Sequence, residues 1–516
     1  MAATQASSNR RIAKNTVALY LRMFFIMLVG IYTTRVVLNT LGVQDYGIYG
    51  VVGSVVAMMG FLNAAMAGAT SRFLTFELGR GDETRLAKTF SSALIIHMGI
   101  ALAVLVLAET VGLWFLCNKL VIPPERMGAA HWVYQLSILS AMIGITQVPY
   151  NAIIISHERM GVYAYVEILN SLLKLAIVYL LVLGHFDKLK LYAVLTLAVS
   201  VTIMMIYRIY CLRHFKETHF HWIWDKTYLK PMLSFSGWDL YGNACVTARQ
   251  QGVNFLINMF FGVAYNAASS IASTIQGILL GLSHNILIAF RPQIIKLYAS
   301  SKNKESILLL YRAAKFSTLI LLATIIPLCI ELDFILKLWL QKVPFYAEIF
   351  CKLMLVSGVF SILNSSINIG NHATGKIKML SFVTGTLFLL TLPIIWIAFK
   401  LGIDASFAYI TFIAINIVIL LFNITILHHN NKAFSLVGFF HKCIMPIAIV
   451  AVLSFGSSEL FKILCEKFQI TSVYKPILVI FMSLLLSSLF TFYFGFTSIE
   501  RLKVSNWITI KIHNLL

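Results

Sequence analysis

The residues of this chain best suited to chemistry are cations placed where cations are costly. Arg22 and Arg35 fall in the first long hydrophobic run, Lys174 in the fifth and Arg249 in the seventh. A cation deep in a membrane helix costs about 2.5–3.5 kcal/mol on insertion scales, so such residues mark a substrate path by default. A guanidinium can grip a phosphate or carboxylate with two parallel hydrogen bonds. Polar neighbours accompany these cations: Asn170 and Ser171 before Lys174, and Gln250, Gln251 and Asn254 after Arg249. Amides and hydroxyls suit a hydroxyl-rich ligand. Together the two sets fit a substrate that joins phosphate to sugar. Three further intramembrane groups, Asp239, Glu109 and His97, can take up or release a proton and are candidates for ion coupling. No metal-ligand spacing and no cofactor motif accompanies them, so neither is expected.

Each candidate has a structural alternative. Arg22 and Arg35 lie 13 residues apart, about 20 Å along a helix and about 140° around it. They do not share one face, and Arg35 lies nearer the outer end, where an arginine can snorkel to the interface. Glu167 and Lys174, seven apart on one helical face, can form a charge pair. Polar clusters such as Gln147–Asn151 or Asn364, Ser365, Ser366 and Asn368 can simply glue helices together.

The elements that carry these residues follow from composition. Hydrophobic residues make up 59% and charged residues 12% of the 516, and the mean hydropathy is +0.84. A soluble domain has about a quarter charged residues, so this is an all-α, polytopic membrane protein. A run of about 20 apolar residues spans a bilayer as a helix, and fourteen runs are present, at about 15–40, 46–70, 89–117, 132–155, 161–183, 190–211, 232–261, 266–290, 309–331, 346–370, 378–399, 403–427, 442–464 and 475–496. The loops that would share a side with both termini hold about 25 Lys and Arg, against about 10 opposite, which places both termini in the cytoplasm. The net charge of +21 is explained by this bias, and no nucleic acid is expected as partner. The seven cysteines are scattered and read as packing residues. Met1–Lys14 is polar and basic, and the first apolar run is longer than a signal-peptide core, so no cleavable leader is expected.

The chain divides into an N-lobe of six spans (1–211), a cytoplasmic linker (212–231), a C-lobe of six spans (232–428) and a C-terminal helix pair with a tail (429–516). The linker holds His219-Phe220-His221-Trp222-Ile223-Trp224, suited to the headgroup level of the membrane. Gly42-Val43 ends the first span, and Gly262-Val263 ends the seventh in the corresponding place. Such a six-span offset implies two lobes in parallel repeat. The turn Leu41–Gly47 reads as a helical hairpin, with Gly42 left-handed at a helix end and Asp45 capping the next helix.

Asn15-Thr16, Arg35, Leu41-Gly42, Asp45-Tyr46-Gly47-Ile48-Tyr49 and Ser71-Arg72-Phe73 carry a resemblance. The chain resembles the polysaccharide flippases, the O-antigen and capsule repeat-unit translocases of the multidrug/oligosaccharidyl-lipid/polysaccharide exporter superfamily. The resemblance implies two lobes that rock about a central cavity, with the last two helices accompanying a lipid tail. It implies that undecaprenyl-pyrophosphate-linked oligosaccharide is flipped from the cytoplasmic to the periplasmic leaflet of the inner membrane for lipopolysaccharide or capsule synthesis. It also points to polysaccharide polymerase or chain-length machinery as partners. Related lipid II flippases use cavity arginines in spans one and eight. Here span eight has no mid-membrane arginine, and Arg249 of span seven is the available substitute.

The expected function is therefore that of a transporter and not an enzyme. Arg22, Lys174, Arg249 and Arg35 would hold the pyrophosphate, and Asn170, Gln250 and aromatic residues would face the glycan. Two other readings stand beside it. A multidrug/cation antiporter of the same superfamily resembles it in plan, but that branch uses a carboxylate in span one, and residues 15–40 contain none. A membrane polymerase would want a large extramembrane loop, and all the loops here are short.

Overall fold

In hydrocarbon every backbone N–H and C=O must be satisfied within its own segment, so apolar runs of this length become helices. The computed structural model describes residues 2–58, 61–118, 122–181, 187–222, 224–340, 343–468 and 474–502. The helices are α1 (Ala2–Met58), α2 (Phe61–Arg80), α3 (Glu83–Leu107), α4 (Leu113–Asn118), α5 (Met127–Ser156), α6 (Met160–Leu180), α7 (Lys188–His214), α8 (Lys226–Phe261), α9 (Val263–Ala299), α10 (Asn303–Ile330), α11 (Leu332–Trp339), α12 (Ala347–Thr374), α13 (Lys378–Lys400), α14 (Phe407–Asn430), α15 (Leu436–Phe439), α16 (Met445–Lys467) and α17 (Tyr474–Phe490). The architecture is all-α and polytopic. Among the described residues, 11 helical stretches are long and apolar enough to cross a membrane. They answer to the third to sixth and the eighth to fourteenth expected spans. The described parts of the first, second and seventh are helical too, in α1, α2 and α8, and Asn15–Gly30 is a shorter apolar stretch.

The turn at the end of the first span departs from expectation. Helix α1 continues through it with a break at Gly42, whose φ of 80° and ψ of 166° no other residue type adopts readily. Its ψ lies beyond the ordinary left-handed helical cap. Gly262, its counterpart at the end of α8, also has positive φ, 86°. Asp45 is not a cap. Its oxygens accept from Arg126, from Nε at 2.9 Å and from Nη2. Arg126 also donates through Nη1 to Asp187 at 2.8 Å, and Asp187 caps α7 by accepting from the amides of Leu189 and Lys190. One guanidinium thus ties together the ends of three segments.

The chain forms two compact units. Unit 1 comprises Met1–Ala244 with Ile295–Ser301, and unit 2 comprises Cys245–Ile294 with Lys302–Leu516. In unit 1, α5 is the central helix and packs on α1, α2, α3, α6 and α7. Leu74, Phe90, Ile153 and Tyr207 are fully buried in its core. The foot of the unit is polar. His157 Nε2 donates to Glu217 at 2.6 Å. Glu158 sits at a left-handed φ of 61°, and its buried carboxylate accepts from Lys296 Nζ at 2.9 Å.

In unit 2, α12 packs on α10 and α14, and the pair α16–α17 packs on α10. The seam between α12 and α14 is a polar ladder. Asn364 donates to the backbone oxygen of Asn416 at 2.9 Å and Asn371 to that of Asn423 at 3.1 Å, both across 52 residues. Asn416 donates to Ser357 at 3.0 Å and Asn423 to Asn364 at 2.9 Å, both across 59. The Phe350 and Tyr409 rings, with the same offset in sequence, meet at 4.5 Å. The constant offset shows that the two helices run parallel, and the seven-residue spacing of the rungs keeps them on one seam. For Asn364 the helix-glue alternative therefore holds.

Candidate functional site

The site residues of unit 1 lie on α1, α6 and α7, which pack on one another. Arg22 is half-buried, with its guanidinium 4.9 Å from the centre of the Tyr163 ring and its Nε without a partner. Glu167, one turn along α6 from Tyr163, accepts from the Tyr207 hydroxyl at 3.2 Å. Arg22, Tyr163, Glu167 and Tyr207 form one electrostatic cluster. Helical spacing puts Asn170 and Lys174 on the same face of α6 as Glu167. Asn170 is half-buried and Lys174 exposed. The charge pair between Glu167 and Lys174 does not form, because seven residues separate them by about 10 Å along the axis and Tyr207 reaches the carboxylate first.

Sequence reasoning passed over three members of this region. Tyr163 and Tyr207 look like ordinary aromatic residues of an apolar run, and only their neighbours give them a role. Arg208 falls close enough to the end of its span to be read as interfacial. It donates through Nη2 to Thr146 at 3.2 Å and lies over the Tyr150 ring at 5.4 Å. Its Nε is buried without a partner.

Arg249 belongs to unit 2. Its guanidinium lies between two rings, 4.5 Å from that of Phe388 on α13 and 4.4 Å from that of Phe412 on α14. The residue is 9% exposed. Nε and Nη1 have no hydrogen-bond partner, and no carboxylate pairs with the group among the described residues. The rings attract the cation through their negative faces but leave the in-plane N–H groups unused. A buried donor without an acceptor is costly, and the cost is relieved when an anion supplies two oxygens in the guanidinium plane. Gln250 is exposed on the next position of α8. Five residues beyond Arg249, the Asn254 side-chain oxygen accepts from Ser269 at 3.0 Å.

The remaining candidates lie apart from these clusters. His97 is fully buried, with Nδ1 donating to the Ala93 carbonyl at 2.8 Å and Nε2 unpartnered. Glu109 lies about 18 Å further along the helix axis, in a π-helical turn, where it accepts from Gln135 at 3.2 Å. Asp239 is half-buried on the part of α8 that belongs to unit 1, whereas Arg249 lies on the part that belongs to unit 2. The side chain of Arg35 lies outside the described residues.

No family model and no curated protein matches the chain. Solved structures do. A MATE transporter in its straight conformation aligns with a TM-score of 0.68 and 14% identity over 82% of this chain and 97% of the other. The Vibrio cholerae MATE transporter VcmN in its bent form aligns at 0.67 and 17% over 83% and 100%. A MOP superfamily transporter from Pyrococcus furiosus, described as having a binding pocket of reverse polarity, aligns at 0.67 and 14% over 83% and 96%. The chain therefore has the MATE fold. At these identities the likeness fixes the fold and not the substrate.

Proposed function

We propose that the protein is a transporter that flips pyrophosphate-linked oligosaccharide, carried on a polyprenyl lipid, across the cytoplasmic membrane by alternating access. The observation that carries this reading is Arg249, a buried guanidinium stacked between Phe388 and Phe412 with Nε and Nη1 unpartnered. A pyrophosphate offers paired oxygens to those donors. Arg22 and Lys174 supply positive charge in unit 1, and Asn170 and Gln250 offer amides to sugar hydroxyls. The polyprenyl chain stays in lipid throughout, so only the head group has to cross. Asp239, Glu109 and His97 are the groups through which an ion gradient would drive the cycle. The O-antigen or capsule precursor is the class of substrate that the sequence resemblance implies. The test is a deletion strain in which lipid-linked oligosaccharide is located by leaflet. Accumulation on the cytoplasmic face that is reversed by the wild-type gene supports the reading.

A second reading has one specific support, since the matching solved structures include a MATE family transporter described as a multidrug resistance protein. The absence of any carboxylate in residues 15–40 weighs against it. Normal surface glycan with altered drug sensitivity in the deletion strain decides for drug export and against the flippase.

A further inference from the structure

Away from the cationic clusters, unit 1 has an open groove of about 770 Å³ between α3 and the first turns of α8. Ile96, Gly99, Ile100 and Ala103 form one wall, and Leu229 and Leu233 the other. Volumes of about 300–1,000 Å³ are typical of ligand sites. The lining is apolar along the groove and cationic at one end, where Lys226 and Lys230 stand one turn apart on α8. Both lysines are exposed and form no ion pair among the described residues. The nearest acid in sequence, Asp225, is occupied as a helix cap, accepting from the amide of Thr227 at 2.8 Å. Lys88 adds further positive charge beside Asp225. Trp224 borders the same end and is 70% exposed, and Trp222 is 71% exposed. Exposed tryptophans of this kind settle at the headgroup level of a bilayer.

An apolar trough that ends in two unpaired ammonium groups beside interfacial tryptophans has the amphipathic profile of a lipid. We propose that this groove binds one anionic glycerophospholipid, with an acyl chain along Gly99 and Leu233 and its phosphate on Lys226 and Lys230. A zwitterionic lipid fills the trough equally well but brings its own cation to the lysines, so the headgroup sets the preference. Basic clusters next to a membrane helix select anionic headgroups in this way. Gly99 faces the open space of the trough, since a Cβ placed there meets nothing within 4 Å. The site lies within unit 1 and does not depend on what the protein transports.

The purified full-length protein, delipidated and titrated with palmitoyl-oleoyl phosphatidylglycerol or phosphatidylcholine, gives the test by native mass spectrometry. One tightly retained phosphatidylglycerol per chain is expected, well ahead of phosphatidylcholine. The double variant Lys226→Gln/Lys230→Gln, which alters only exposed side chains, is expected to weaken phosphatidylglycerol about thirtyfold and leave phosphatidylcholine unchanged. Gly99→Phe fills the trough and is expected to abolish retention of both lipids, with thermal unfolding checking that it folds. Equal retention of the two lipids by the wild type, or unchanged phosphatidylglycerol binding in the double variant, would mean adventitious surface lipid only and would overturn the proposal.

Discussion

Replacing Arg249 with methionine separates a group held for its substrate from one held for the fold. Two aromatic faces contribute about 0.5–2 kcal/mol each to holding the cation, so the sandwich is worth about 1–4 kcal/mol. Against this stand the several kcal/mol needed to desolvate a charge and the two in-plane donors without acceptors. The terms nearly cancel or favour the uncharged side chain. Methionine fills similar volume between Phe388 and Phe412 and makes favourable sulfur–aromatic contacts. Arg249→Met is therefore expected to unfold at the same temperature as the wild type or higher. Transport should respond in the opposite way. A charge-assisted hydrogen bond is worth about 1.5–3 kcal/mol, so losing even one lowers flipping by about tenfold to a hundredfold. Arg249→Lys keeps the charge but not the planar fork, and is expected to fall between the two. The assays are thermal unfolding of the purified protein and rescue of surface glycan in the deletion strain. Full rescue by Arg249→Met refutes the anion-binding role. Lost rescue together with a large loss of stability refutes it as well, because the arginine would then be structural.

Three other perturbations probe the frame around the site. Asn364→Leu removes a donor to the Asn416 carbonyl and strands the Asn423 amide; interhelical hydrogen bonds in membranes average about 0.6 kcal/mol and reach about 1.7, so a loss of about 1–3 kcal/mol measured by unfolding in denaturing detergent is expected, and no change would show that the ladder is incidental. Glu500→Ala strands Lys315, which is 2% exposed and donates to Glu500 at 2.7 Å; breaking such a pair costs about 3–5 kcal/mol, read as a lower unfolding temperature that the double change Lys315→Met/Glu500→Ala largely restores. Burial alone would raise the Asp187 carboxyl, but the hydrogen bond from Arg126 and the amides of Lys190 and Leu189 outweigh it and hold the group below its ordinary 3.8. A depressed carboxyl stabilises the fold above its unfolded value and loses that contribution as pH falls through the folded one. Unfolding temperature is therefore expected to fall below about pH 4, and to fall less in Asp187→Asn, which starts lower at neutral pH. Parallel pH profiles for the two proteins would remove Asp187 from the account.

Much of the frame is legible from hydropathy, because a membrane helix must be apolar over a length set by the bilayer. Gly42 is legible as a break for a second reason, since a helix end followed by a new helix wants a residue free to take positive φ. The partners of polar groups are not legible in the same way. Periodicity places Asn170 and Lys174 on one face of α6 but does not say that Tyr207, 40 residues from Glu167, reaches that carboxylate. Asp45 precedes a helical run and reads as a cap, yet the guanidinium of Arg126, 81 residues away in sequence, outcompetes the backbone amides. Asn364 shows the ambiguity most plainly. An intramembrane asparagine facing a cavity and one facing a neighbouring helix look alike in sequence, and only the matching spacing of Asn416 and Asn423 on α14 tells them apart. Arg249 is legible as a cation in an unfavourable place, but its two aromatic walls come from α13 and α14, far along the chain, and no local pattern announces them.

The asparagine ladder is also a ruler. Its rungs recur every seven residues, about 10.5 Å along the axis, and Asn364, Asn416 and Asn423 each give and receive a hydrogen bond across the seam. A slip of α14 along α12 by one turn would place amides opposite leucine and isoleucine, and the next position at which the rungs match lies a second turn further. Rolling either helix about its own axis breaks all the rungs together. The ladder thus sets the register of the seam: α14 has a single alignment on α12 in which every ladder amide finds an acceptor.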